Sequence, residues 1–220
     1  MKNIGEFTVQ PVEQFDETEA SEAKQYWSSL RVPEFYKQPQ THWSSFIAVQ
    51  VLRLKPRSVL EFGCNVGRNL AAIRESDPSV LLSGVDINAE AVAFGRNERG
   101  LNLCQADETF VQEQPDDSFD VIFTVSVLDH VPNPKPILKE MVRVARLGVL
   151  LLEPSLGEEG KVLKNASNQA KSINEATPYS YSWDYARLCA DFPVEFSKER
   201  YPLSGTRLGP YYWLFRLLKQ

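Results

Sequence analysis

The chain has 220 residues, 43% hydrophobic and 24% charged, with a net charge of −5, which suits one well-buried core and is short for two full domains. An acidic balance without a long basic run excludes a broad phosphate-binding surface, so no nucleic-acid partner is expected. Apolar runs such as Val149 to Leu152 are far too short to span a bilayer, and the first six residues lack the apolar stretch of a secretory signal, so a cytoplasmic location is expected.

Residues 1–21 are polar and acidic and read as an extended or mobile arm. A helical pattern runs from Glu19 to Leu30, Pro33 and Pro39 interrupt the next stretch, and a second helix from about Thr41 to Leu54 stops before Pro56. Strand-like runs then occur at 58–62, 81–86, about 101–105, 120–125 and 148–153, alternating with helices at 67–76, 89–99 and 134–146. Asn133 and Pro134 suit the cap and first turn of the last helix. This alternation predicts a mostly parallel sheet covered by helices on both faces, an α/β fold. Beyond Glu153, glycines at 157 and 160 mark a loop, a polar segment extends to about Ala176, and a helix lies near Asp184 to Asp191. Two β-like runs, Val194 to Leu203 and Tyr211 to Leu217, are joined by Gly205 and Gly209–Pro210 and predict an antiparallel hairpin. The expected organisation is an N-terminal arm and helical lid at 1–55, then a main unit at 56–220 with substrate-cap insertions at about 154–192, all in a single domain.

The most informative stretch runs from Ser58 to Leu70. A short strand ends in Glu61, a tight loop holds Gly63 and Gly67, and a helix begins at once. Glycine serves where φ is positive or where a ligand approaches the backbone. A carboxylate at that bend repels a pyrophosphate and attracts a ligand carrying ammonium and sulfonium groups. Ligands of open α/β sheets bind beyond the carboxyl ends of the strands, and Glu61, Asp86, Asp107, Asp129 with His130, and Glu153 all fall at such ends. Asp86 lies about 20 positions past the loop, where a carboxylate takes both hydroxyls of a ribose.

Together these segments resemble the class I S-adenosylmethionine-dependent methyltransferases, of methyltransferase type 11 in particular, over residues 56–154. Glu61–Gly67 is similar to that family's glycine-rich first motif, Gly84–Ile87 to its second and Ala106–Glu108 to its adenine-contacting segment. Asp117–Pro132 is similar to the fourth-strand signature and Arg143–Gly148 to its continuation into the fifth strand. One departure is plain: Asn65 stands where the middle glycine is usual, and asparagine tolerates positive φ better than most residues. The resemblance implies a three-layer Rossmann-like sandwich with a seven-stranded sheet, mostly parallel, and S-adenosyl-L-methionine as cofactor. It implies that Glu61 faces the methionine ammonium, with Gly63, Cys64, Asn65 and Gly67 around it. Asp86 would hold the ribose, Ile87 pack on adenine, Asp107 and Glu108 meet the adenine edge, and Thr124 lie near the methionine part.

The activity so implied is methyl transfer to an oxygen or nitrogen of a small molecule or sugar, with no metal. The absence of an Asn/Asp-Pro-Pro-aromatic motif after the fourth strand argues against nucleobase amines. His130 has two readings, a general base for a hydroxyl acceptor or a position dictated by backbone architecture. Tyr179, Tyr181 and Trp183 alternate along an extended segment, either as a substrate wall or as an anchor for the next helix, and Tyr26 and Trp27 carry the same two readings. Cys64 reads as a small packing residue, and Cys64, Cys104 and Cys189 as reduced thiols. The rival functions are a non-catalytic cofactor-binding partner subunit and a nicotinamide-dependent oxidoreductase; Glu61 beside a pyrophosphate disfavours the latter.

Overall fold

The computed structural model describes residues 2–4, 7–12, 16–38, 41–164, 180–202 and 211–220. In chain order the elements are β1 (Lys2–Ile4), β2 (Phe7–Gln10), α1 (Glu17–Ser29), α2 (Glu34–Lys37), α3 (His42–Leu52), β3 (Ser58–Phe62), α4 (Arg68–Ser76) and β4 (Leu81–Asp86). Next come α5 (Ala89–Arg99), β5 (Leu103–Gln105), α6 (Thr109–Gln112), β6 (Phe119–Val125), α7 (Lys135–Val144) and β7 (Ala145–Pro154). The chain closes with β8 (Gly160–Lys164), β9 (Tyr181–Ser182), α8 (Tyr185–Leu188), β10 (Glu195–Arg200) and β11 (Tyr212–Leu218).

A seven-stranded sheet runs in the order β10-β11-β7-β6-β3-β4-β5, parallel from β7 to β5 and antiparallel at β10 and β11. Strands covered on both faces must be apolar on both, and alternate side chains divide between two cores. Val59, Val121, Phe123, Leu150 and Leu152 join Ile47 and Val51 of α3 and Leu70 and Ile73 of α4. Leu60, Ile122, Val149 and Leu151 point the other way, onto Leu138 and Met141 of α7 and Tyr185 of α8. Strand order reverses beside β3, which pairs with β4 on one side and β6 on the other. That switch point opens a crevice at the strands' carboxyl ends.

Several sequence expectations need correction. The arm at 1–21 is structured where described: β1 and β2 form a second sheet in the order β1-β2-β8-β9, with Val9 only 2% exposed. Residues 17–21 already belong to α1, whose Asp16 caps the Thr18 amide at 2.8 Å. The loop expected after Glu153 contains β8, which gives β2 its partner. The helix expected at 134–146 ends at Val144, because Ala145 is extended and starts β7, and Pro134 rather than Asn133 occupies its cap position. The helix near 184–191 contracts to four residues capped by Asp184. The polar segment at 165–176 and the turn at 205–210 lie outside the described residues. Among the described residues no helix is long and apolar enough to cross a membrane.

Leu151 is fully buried and Leu81 is 72% exposed. Leu151→Ala is expected to cost about 2–5 kcal/mol, and Leu81→Ala to stay within about 0.5 kcal/mol; denaturant titration of both variants measures the contrast.

Candidate active site

The loop after β3 is built from left-handed backbone. Gly63 and Gly67 both have φ 74° and Asn65 has φ 48°, which turns the chain back into α4. A Cβ on Gly63 would lie 2.4 Å from Val127 Cγ2. The amides of Gly63 and Cys64 both donate to the Val85 carbonyl of β4, at 2.8 and 2.9 Å. Asn65 suits its position: its side-chain oxygen accepts from the Val66 amide at 2.9 Å, and its own amide donates to Asp86 Oδ2 at 2.7 Å. A short polar side chain that bonds locally is the best substitute for glycine at positive φ.

This loop borders a cavity of about 820 Å³. Of the residues chosen from sequence, Glu61, Gly63, Cys64, Asn65, Asp86, Ile87, Asp107, Glu108, His130 and Trp27 line it. Gly67 does not; it stands at the cap of α4. Thr124 is also absent from the wall, because it is fully buried with its hydroxyl donating to Glu153 Oε1 at 2.6 Å. Tyr26 meets Trp27 edge-on at 5.2 Å without reaching the cavity. Tyr181 and Trp183 are buried and stacked at 5.4 Å; Tyr181 donates to Glu19 of α1 and the Trp183 indole to the Leu128 carbonyl. They anchor structure and form no substrate wall, while Tyr179 lies outside the described residues. Lys24, Tyr36, Trp43, Arg68, Ser126 and Tyr212 also line the cavity and carried no local signal, since they come from separate segments brought together only by folding.

Glu61 is 1% exposed and its Oε1 accepts from Asn69 Nδ2 at 2.6 Å. Its other oxygen is buried with no hydrogen-bond partner. Burial, with a smaller contribution from the nearby Asp86 charge, pushes its pKa up to about 8. A buried carboxylate with one unsatisfied oxygen at a cavity wall is built to receive a cation. Asp86 accepts from the Asn88 amide at 2.8 Å as well as from Asn65, and burial still raises its pKa. Asp107 is lowered, first by the Thr109 hydroxyl, and Lys24 of α1 reaches both Asp107 at 3.4 Å and Glu108 at 2.5 Å.

Residues 60–152 match a family profile described as "Methyltransferase domain". That stretch is a methyltransferase domain. The chain is 26% identical over 166 residues to ajmaline N-methyltransferase of Rauvolfia serpentina, covering 66% of this chain and 54% of that protein. It is 34% identical over 98 residues to the ubiquinone biosynthesis O-methyltransferase of Idiomarina loihiensis, covering 42% and 39% respectively. The chain thus spans about half or less of the length of these curated relatives. The crystal structure of magnesium protoporphyrin IX methyltransferase from Synechocystis PCC 6803, with bound SAM, shares the fold at a TM-score of 0.60 and 15% identity, over 95% of this chain and all of that one.

A second acidic cluster lies behind the cavity. Glu153 accepts from Thr124 Oγ1 at 2.6 Å and from the amides of Val127 at 3.0 Å and Leu128 at 3.2 Å. Asp129 lies 3.5 Å from Ser126 Oγ, and its Oδ2 is 3.4 Å from His130 Nε2. Burial pushes Asp129 up to about 7 and, with the Asp129 charge adding to it, Glu153 up to about 8. Two carboxylates sharing one dry site hold a proton near neutrality. Cys64 is buried and its thiol pushed up by burial, which suits packing and not nucleophilic attack.

Raised carboxylate pKa values mean that the folded state binds more protons than the unfolded one, so their stabilising effect is full below about pH 4 and lost as pH rises through about 7 to 8. Thermal unfolding should therefore show a Tm that falls between about pH 5 and pH 9, and a shallower fall in Asp129→Asn, which relieves the like-charge pair. Equal slopes in the two proteins would contradict this assignment.

Proposed function

We propose that this chain transfers the methyl group of S-adenosylmethionine to an oxygen or nitrogen of a small molecule or sugar. The observation that carries the reading is the buried, unsatisfied Glu61 oxygen on the wall of a cavity at the sheet's switch point. When bound, the cofactor supplies a methyl group already activated on a cationic sulfur. Glu61 would take its ammonium, Asp86 its ribose hydroxyls, and Asp107 and Glu108 the adenine edge, with Ile87 against the ring.

The chain's remaining contribution is enclosure, alignment and proton transfer. We assign α1 and the segment after it the role of a lid: Ala20, Ala23, Lys24 and Trp27 face the cavity. Asn88 Nδ2 holds the end of the lid through the carbonyls of Trp27 at 2.9 Å and Leu30 at 2.7 Å. Glu19 ties its start to Lys161 and Tyr181, so the insertion after β7 supports the lid. His130, 9% exposed and against the Trp27 ring at 4.7 Å, is placed to accept the acceptor's proton, with Asp129 orienting its imidazole. Retention of every acidic contact favours an enzyme over a non-catalytic partner subunit.

Calorimetry with S-adenosylhomocysteine tests the cofactor reading. Glu61 must ionise to pair with an ammonium, so binding should release a proton and tighten from about pH 6.5 towards pH 8. Glu61→Gln should weaken binding by about 30-fold or more, the loss expected when a buried ion pair is broken. Absence of binding would sink the proposal. His130→Ala should lower kcat by about 10²–10⁴-fold while leaving affinity for S-adenosylhomocysteine within about twofold; an unchanged kcat would assign His130 to architecture alone.

A further inference from the structure

We infer that the acceptor is a neutral, planar aromatic molecule methylated on a ring hydroxyl, an inference that rests on reading the cavity as a methyl-donor site. Once Glu61, Asp86, Asp107 and Glu108 are allotted to the donor, the rest of the wall is dominated by aromatic and aliphatic groups; Thr41, Gln112 and Asn133 are among its scattered polar groups, and one connected polar place stands out. A continuous chain of contacts defines that place. The Trp27 ring meets His130 at 4.7 Å, His130 Nε2 lies 3.4 Å from Asp129, and Asp129 lies 3.5 Å from Ser126 Oγ. Ser126 Oγ is 2.8 Å from the Tyr212 hydroxyl, and the Tyr212 ring meets Trp43 at 4.3 Å. An aromatic ring thus stands at each end, with imidazole and hydroxyl groups between.

Charge and hydrogen-bonding capacity decide among acceptor classes. An anionic acceptor would need a cation, and both cations on the wall are engaged. Lys24 bridges Asp107 and Glu108, and Arg68 Nη1 donates to the Phe35 carbonyl at 3.1 Å with its guanidinium 5.1 Å from the centre of the Tyr36 ring. None of the carboxylates at 61, 86, 129 and 153 offers an anion a counter-charge. A sugar carries hydroxyls around its whole rim, and most would lie unpaired against aromatic side chains. A flat ring with one hydroxyl places its faces against tryptophan and tyrosine and its single polar group at His130. The acceptor oxygen gains the methyl group and gives its proton to His130. The carbon–sulfur electron pair stays on sulfur, so the coproduct is the neutral thioether S-adenosylhomocysteine.

The test has two stages, both on the full chain. Calorimetry with S-adenosylhomocysteine comes first, and its failure sinks the donor site independently of the acceptor. With binding established, methyl-labelled S-adenosylmethionine is supplied with catechol and 2-naphthol as neutral phenols, 4-hydroxybenzoate as an anionic phenol, and a hexose. Label is expected in a neutral phenol, at least about tenfold above the anionic phenol and the hexose. Trp27→Leu should raise KM for that phenol about tenfold, and Trp27→Phe should restore most of it, with S-adenosylhomocysteine affinity within about twofold in both. Label in the hexose or the anionic phenol alone, or in neither neutral phenol while the donor analogue binds, overturns the inference.

Discussion

Negative charge buried at the carboxyl edge of a parallel sheet is the constraint on which this structure turns. Glu61, Asp129 and Glu153 are each at most 3% exposed, and each sits just where a strand ends or shortly after. A carboxylate there loses its hydration and needs donors, a proton or a cation to remain. Each solution shapes the site differently. Glu153 gathers a hydroxyl and two amides and thereby fixes the turn after β6 that presents His130. Asp129 is raised by burial, its charge raises Glu153 in turn, and it sits against the imidazole. Glu61 alone of the three keeps an oxygen unsatisfied, on the cavity wall.

The position of α1 depends on the same electrostatics. The acidic edge at Asp107 and Glu108 lies on the sheet, and the lysine that meets it comes from α1, 83 and 84 positions earlier in the chain. These half-exposed pairs are worth little in isolation. They act with the Asn88 bonds to the carbonyls of Trp27 and Leu30 and with the ties of Glu19, so α1 is held at its start, middle and end. Closing the cavity with a helix also brings Trp27 onto His130.

Legibility divided along the same line. The loop from Glu61 to Gly67, Asp86 and Asp107 were readable because each requirement is local: a strand end, a positive φ, a carboxylate at a fixed spacing. Even the departure at Asn65 was readable, and its φ of 48° with a bond to the Val66 amide shows why it fits. Thr124 was misplaced because a strand's pattern does not say which neighbour its hydroxyl will meet, and here that neighbour is Glu153, 29 positions on. Tyr181 and Trp183 looked like a wall because alternation puts them on one face, but alternation does not say whether that face meets solvent, ligand or core. The small sheet went unseen because β2 and β8 pair across more than 150 positions and neither is decisive alone.

The amino-acid sequence by itself determined the parallel sheet, the antiparallel edge and the left-handed loop from Glu61 to Gly67, since periodicity, glycine placement and strand-end carboxylates are properties of short segments. Only the tertiary structure decided what surrounds the cavity. Trp27, Tyr36, Trp43 and Tyr212 reach one cavity from four elements whose separations in sequence say nothing of their proximity. A pocket for a small acceptor is a sum of distant contacts, and distant contacts are settled by packing and not by local pattern.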